Sequence, residues 1–308
     1  MGFLQTLMDF CHFGEFGLDA RVFIFAPIAG LGWLFAYIDL IRLGFKQKTY
    51  GMPIAALALN IVWEGLYAYM YWAHDGMFYG GYMMACVNTA WFIADCLILY
   101  THIKWGKKDF EKVADGRLFW PWFAVVMIMA VVVEITWLQA YGVRANGCTA
   151  IVQNLPMSML FIFLLYLRKG TEGQSMMIAI GKMLGTIGAW LAIAVYPSLQ
   201  DPLNIWCGVC CTMFDLIYCV LLYKAFKAEG KNPWKPLAPA DPAKRDLTKS
   251  PVFNPKTDTI VDGKIVSSIG TAAFAGQTRL REVILPKQLK YIQDAAFATC
   301  NNLLHIDI

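Results

Sequence analysis

Seven apolar stretches, each near the ~20 residues a helix needs to cross a bilayer, follow one another with only short polar connections between them. They run from about Arg21 to Leu43, Met52 to Ala73, Tyr82 to Ile103, Phe119 to Tyr141, Ile151 to Leu167, Met176 to Leu199 and Leu203 to Phe226. Connections this short leave no room for a soluble domain, so residues 1–231 read as an all-α membrane protein, seven transmembrane helices in one bundle. A chain with 58% hydrophobic and only 16% charged residues fits that reading and no ordinary soluble class. It is expected in the endoplasmic reticulum membrane if the source is eukaryotic and in the plasma membrane if bacterial.

The basic residues orient the bundle. Arg42, Lys46 and Lys48 occupy the first connection, Lys104, Lys107, Lys108, Lys112 and Arg117 the third, and Arg168 and Lys169 the fifth. Lys224, Lys227 and Lys231 follow the seventh helix, whereas Arg144 is the exception in the intervening connections. The positive-inside rule then puts the N-terminus outside or in the lumen and the C-terminus in the cytosol. A formal net charge of +4, spread over such loops, reads as a topology signal and excludes a nucleic-acid surface.

Five carboxylates fall inside the spans: Asp39, Glu64, Asp95, Glu134 and Asp215. An acid at the centre of a transmembrane helix costs ~2.5–3.5 kcal/mol, so each asks for a function or a partner. Asp39, beside Arg42 at the cytosolic end of its helix, reads as an interfacial ion pair. Glu64 and Asp215 both lie about twelve residues into helices that run in opposite directions, which places them at matching mid-membrane depth. Asp95 and Glu134 sit nearby in depth.

Aromatic and amide side chains accompany these acids at helical spacing. Asn60 stands one turn before Glu64, with Trp63 and Tyr67 as an adjacent stripe; Asn88 and Trp91 precede Asp95; Trp137 follows Glu134 and Tyr218 follows Asp215. Desolvation disfavours the ionised form of a carboxyl group, so a buried acid can keep its proton near neutral pH and act as a general acid. Aromatic faces attract cations. An acid in an aromatic-lined, water-poor cavity is what carbocation chemistry requires, although a proton-coupled transporter could use the same acids. No DDxxD or DxDD cluster occurs in the spans, so no metal site and no cofactor are expected, and initiation by protonation is what remains.

Three segments carry more. Tyr50-Gly51-Met52-Pro53 followed by Asn60-Ile61-Val62-Trp63-Glu64, then Trp91-Phe92-Ile93-Ala94-Asp95, and finally Phe214-Asp215-Leu216-Ile217-Tyr218, resemble the small seven-helix membrane terpene cyclases of fungal meroterpenoid and indole-diterpene pathways. The resemblance spans about residues 20 to 226. It implies a protonation-initiated, metal-independent cyclase acting on a linear prenyl or epoxyprenyl chain within the lipid bilayer. By that resemblance Glu64 and Asp215 would be the catalytic acid pair; the residues spaced around the acids, Asn60, Trp63, Tyr67, Asn88, Trp91, Asp95, Glu134, Trp137 and Tyr218, are expected to line the substrate. A seven-helix proton-coupled transporter is the alternative, and the lack of a three-plus-three internal repeat counts against it.

The remaining features read as structure. Gly181, Gly185 and Gly188 form a small-residue surface for close helix packing; Pro156 kinks the fifth helix, and Gln153 and Asn154 beside it suggest a polar lining. Lys182, about six residues into the sixth helix, is placed to snorkel toward the interface. Cys11 and Cys148 fall on one side of the membrane and could pair, and Cys207, Cys210 and Cys211 read as core packing. A Pro- and Lys-rich linker covers residues 232–262. In residues 263–308, Ile269, Phe274, Leu280, Val283 and Leu285 recur 23 positions on as Ile292, Phe297, Leu303, Ile306 and Ile308. These are two leucine-rich-repeat-like units, a candidate docking element for another protein.

Overall fold

The computed structural model describes residues 22–73, 81–195, 201–254, 258–261, 264–266, 268–278, 280–285 and 291–307. Cys11, Arg21, Leu199 and Ile308 lie outside these residues. Among the described residues there are seven long helices: α1 (Val22–Gln47), α2 (Ile54–Ala73), α3 (Gly81–Trp105), α4 (Phe119–Tyr141), α5 (Ala145–Arg168), α6 (Met176–Ala194) and α7 (Pro202–Ala228). A single helical turn, Lys107–Phe110, intervenes between α3 and α4. The seven apolar stretches therefore each form a helix, with α5 starting six residues before the expected Ile151.

Six of the seven are long and apolar enough to cross a membrane; α2 is the exception. Its shortfall has a plain cause, since Asn60, Glu64, Gly65 and five Trp and Tyr side chains dilute its aliphatic content. The same helix buries eleven of its twenty residues inside the protein. Polar and aromatic residues are tolerable at membrane depth where protein, and not lipid, surrounds them.

The chain divides into two compact units, residues 1–164 with 172–222, and residues 165–171 with 223–308. In the first, α1 lies along α6, and α2 along α3 and α4. The α1–α6 crossing is close because of glycine: a Cβ on Gly32 would approach the Gly181 carbonyl oxygen to 2.6 Å, and one on Gly181 the Gly32 carbonyl oxygen to 2.7 Å. Gly185 meets Trp33 in the same way, and Gly188 meets the α1 backbone at Phe25 and Ala29. The small-residue surface expected on the sixth helix thus packs on Gly32, Ala29 and Ala36 of the first. Ser175 starts α6 by accepting the Ile178 backbone N–H at 3.1 Å, and its own hydroxyl donates to Asp39. Asp39 is also held by Arg42, Nε at 2.6 Å and the terminal guanidinium nitrogen at 2.5 Å, the ion pair expected at that helix end.

In the second unit Lys169 donates to Asp258 at 2.9 Å and to the Val252 carbonyl at 3.1 Å, while Glu229 accepts from both the backbone and the hydroxyl of Thr171. In the described part of the segment read as a linker, Val252 and Asp258 take part in these bonds, and one-turn helices form at Pro242–Lys244 and Leu247–Lys249. A short hairpin pairs β1 (Thr259–Val261) with β2 (Lys264–Val266). Beyond it the chain coils with the period read from sequence: β3 (Ser268–Ile269) runs parallel to β5 (Tyr291–Ile292), and β4 (Glu282–Ile284) parallel to β6 (His305–Asp307). Ile269 opposes Ile292 and Val283 opposes Ile306, both 23 residues apart. Phe274 stacks on Phe297 with centroids 5.1 Å apart and planes 3° apart, which ties one coil to the next.

Candidate active site

The buried polar side chains of the membrane unit fall into three groups. The first joins α1, α2 and α3. Asn60 points both amide hydrogens at acceptors, the Tyr37 hydroxyl at 2.6 Å and Asp95 Oδ2 at 2.7 Å. One turn further along α2, Glu64 is 4% exposed, and its Oε2 has no hydrogen-bond partner. It lies within electrostatic reach of the Asp95 carboxylate. Among the described residues no Lys, Arg or His forms an ion pair with either acid. Trp91 stacks on the Tyr37 ring at 6.4 Å, with planes 9° apart. Asn88, two turns before Asp95, is fully buried with both amide atoms unpartnered.

The second group joins α2, α4 and α5. Trp63 donates its indole N–H to Thr149 Oγ1 at 2.9 Å, and Thr149 passes its own hydrogen to the Ala145 carbonyl at 2.7 Å. The Trp63 and Tyr67 rings lie 5.1 Å apart at the centre of an aromatic cluster that includes Tyr71. Glu134 is fully buried. Its Oε1 is 3.2 Å from the Gln153 amide nitrogen, which also reaches the Leu59 carbonyl at 3.3 Å in the orientation that satisfies both. Trp137, on the same helix as Glu134, is half-buried.

The third group joins α5, α6 and α7. Lys182 does not snorkel: its side chain is 1% exposed and pairs with Asp215 Oδ1 at 2.6 Å while donating to Ser158 Oγ at 2.7 Å. The reason is the path out. Lys182 leaves α6 between Gly181 and Gly185, on the protein side of the helix, where Asp215 and Ser158 satisfy its charge before lipid or water could. Its ammonium is 5.8 Å from the Phe161 ring centroid. Tyr218 packs against Phe161 at 5.5 Å and donates its hydroxyl to Gln174 at 2.9 Å. Asp215 Oδ2 is buried without a partner.

All eleven residues singled out from the sequence are buried or half-buried, ten of them in bonds, ring contacts or electrostatic reach within these groups or, for Asn88, on the Asp95 helix two turns away. The two acids matched by depth have different company. Glu64 neighbours Asp95, whereas Asp215 is bonded to a cation. Tyr37, Thr149, Ser158 and Lys182 complete the groups and were not among the sequence candidates for the site, whereas Gln153, read from sequence as polar lining beside Pro156, meets Glu134. Of these, Lys182 carried a legible signal, a charge in an otherwise apolar helix, and was read as interfacial. Cys148 carries a free thiol that accepts from Asn204 at 3.0 Å. Among the described residues no three His, Cys, Asp or Glu side chains gather as metal ligands would.

A bundle of long apolar helices whose interior is furnished with buried acids, amides and aromatic rings is an integral membrane protein equipped to handle protons away from water. Residues 18–228 match the Pyr4-like transmembrane terpene cyclases, and the chain belongs to that family. It is 24% identical over 220 residues to terpene cyclase andB of Emericella variicolor, covering 67% of this chain and 89% of the relative. It is 26% identical over 213 residues to terpene cyclase pyr4 of Aspergillus fumigatus, covering 66% and 86%. To terpene cyclase atmB of Aspergillus flavus it is 28% identical over 227 residues, covering 68% and 87%. Residues 254–308 match the BspA type leucine-rich repeat region. No solved structure matches the chain. These relationships support an enzyme that cyclises terpenoids in a membrane and disfavour the transporter reading.

Proposed function

We propose that the protein cyclises a linear prenyl chain carrying a terminal epoxide or alkene, and that Glu64 delivers the initiating proton. In this reading the Glu64 O–H bond breaks and its proton goes to the epoxide oxygen. The epoxide C–O bond opens as the neighbouring double bond supplies the electron pair of the new C–C bond, and the cation moves along the chain until a C–H bond yields its proton. With an alkene the same proton goes to carbon. Trp63, Tyr67, Trp91, Trp137 and Tyr218 offer ring faces to the migrating charge, and the Asn88 amide is suited to hold an oxygen of the substrate. All seven helices cross the bilayer in this reading, α2 shielded by its neighbours, with the N-terminus outside.

The observation that carries the proposal is the contrast within the first group. Asn60 can only donate to Asp95 Oδ2, which favours Asp95 as the ionised acceptor, and two close carboxylates do not both ionise cheaply. The proton of the pair therefore belongs on Glu64, which lacks the amide bond that Asp95 Oδ2 receives; one oxygen of each acid, Glu64 Oε2 and Asp95 Oδ1, is buried without a partner. To test it, membranes containing the protein are given farnesyl- and geranylgeranyl-type substrates with and without a terminal epoxide. Wild type should form rings and Glu64→Gln should not. Cyclisation by Glu64→Gln at the wild-type rate would end the assignment.

A further inference from the structure

We propose that Lys182 holds Asp215 as a carboxylate and so makes it the acceptor of the reaction's last proton, with Lys182 as the positioning residue. The inference rests on the cyclisation reading above and divides the labour between the two acids that sequence alone had paired. Three observations carry it. The Lys182 ammonium is bonded to Asp215 Oδ1 at 2.6 Å with both side chains 1% exposed, a geometry that favours the charged forms of both. Ser158 takes a second ammonium hydrogen at 2.7 Å, so the cation is fixed by α5 and α7 together. Asp215 Oδ2 remains buried and without a partner, so the carboxylate keeps one oxygen able to accept.

A purely structural pair would have little reason to be there. Taking two charges out of water costs about as much as their attraction returns, and apolar replacements of the same volume serve packing as well. The Phe161 and Tyr218 rings, 5.5 Å apart beside the pair, offer faces that suit a cation approaching its end. In the closing step the C–H bond next to the last cationic carbon breaks, its electron pair completes a C=C bond, and the proton forms an O–H bond on Asp215 Oδ2. After product release Asp215 returns this proton to water and Glu64 takes one from water, so the enzyme is restored and the substrate is isomerised.

Infrared difference spectra of the full-length protein in lipid nanodiscs test the charge state without turnover. Subtracting Asp215→Asn from wild type should reveal a carboxylate band; Lys182→Met should convert it to a protonated-acid carbonyl band, and Lys182→Arg should restore the carboxylate. A protonated-acid band for Asp215 in the wild type overturns the proposal. The double variant Lys182→Met/Asp215→Asn removes both charges and strands neither, so it is the variant expected to fold. On the substrate panel it should still consume substrate but shift product from the final alkene to water-captured alcohols and less-cyclised alkenes. An unchanged product profile, or a folded double variant that consumes nothing, overturns the acceptor role. If the wild type is inert on every prenyl substrate, the cyclisation reading fails, while the infrared result still decides the state of Asp215.

Discussion

The Glu64 group and the Asp215 group each place a carboxyl in the same apolar bundle, and they treat it in opposite ways. Glu64 and Asp95 share a site with neutral partners, Asn60 and Tyr37, and among the described residues no cation pairs with them. Asp215 has a cation at 2.6 Å. In the proposed reading a single negative charge is supported in the first site by the Asn60 amide, and one proton is retained because two close carboxylates do not both ionise cheaply. In the second site the ammonium makes the charge affordable and the proton unnecessary. In the proposed reading the presence or absence of one lysine suits one acid to giving a proton and the other to taking it, although the two were matched by their position along the helices.

The largest effect should come from removing the donor. Glu64→Gln keeps shape and polarity but has no acidic proton, and loss of a positioned general acid typically costs ~10²–10⁴-fold in rate. Turnover per folded protein should fall by that order with unchanged abundance in the membrane. Next comes the device that favours charge on Asp95. Asn60→Leu strips the donor from a buried carboxylate, which costs about 1–3 kcal/mol of stability. It also lets Asp95 compete with Glu64 for the proton, so activity should drop by roughly ten- to a hundredfold. Adding Asp95→Asn should recover the stability and not the full rate. Full recovery of rate would mean that Asp95 has no part in loading Glu64.

The sequence made much of this legible because some of its signals are one-dimensional. Hydropathy located seven helices since a membrane span is a length of apolar chain, and the period of 23 fixed the register of Ile269 on Ile292 because a coil repeats by count. Depth along a helix is also a count, which is why Glu64 and Asp215 were matched. What a count does not supply is azimuth. Which neighbour a side chain faces depends on helix rotation and packing, so Lys182 was sent to the interface when it turns inward to Asp215. Thr149 went unnoticed because Arg144, Asn146 and Gly147 read as a connection, whereas the helix already begins at Ala145. Tyr37 and Ser158 are ordinary residues in apolar helices, and only their bonds to Asn60 and Lys182 give them away.

The two groups are also mechanically linked, because Tyr37 is on α1, Lys182 is on α6, and those helices touch through glycine. Gly185→Val would drive methyl groups into Trp33, whose ring already stands 2.7 Å from where a Cβ would lie. Overpacking of this kind costs ~1–3 kcal/mol. Thermal unfolding in detergent should register it, and because both acid sites move apart together, rate and product profile should change in parallel. A change in product alone would argue that the crossing governs only the Asp215 side.

The smallest effect tests whether the aromatic wall is tuned or merely apolar. Trp63→Phe keeps a ring beside Tyr67 but loses the indole N–H that Thr149 accepts at 2.9 Å. A neutral hydrogen bond contributes about 0.5–1.5 kcal/mol, so stability should fall within that range while Glu64 still loads and delivers its proton. Phe also presents a weaker face to a cation than Trp does. The ratio of fully to partly cyclised product should therefore shift by no more than roughly tenfold, with total substrate consumption nearly unchanged. Thr149→Val, which removes the same hydrogen bond but leaves the Trp63 face in place, separates the two contributions. If both variants alter the ratio equally, ring placement by the hydrogen bond matters; if only Trp63→Phe does, the ring face itself steers the cation.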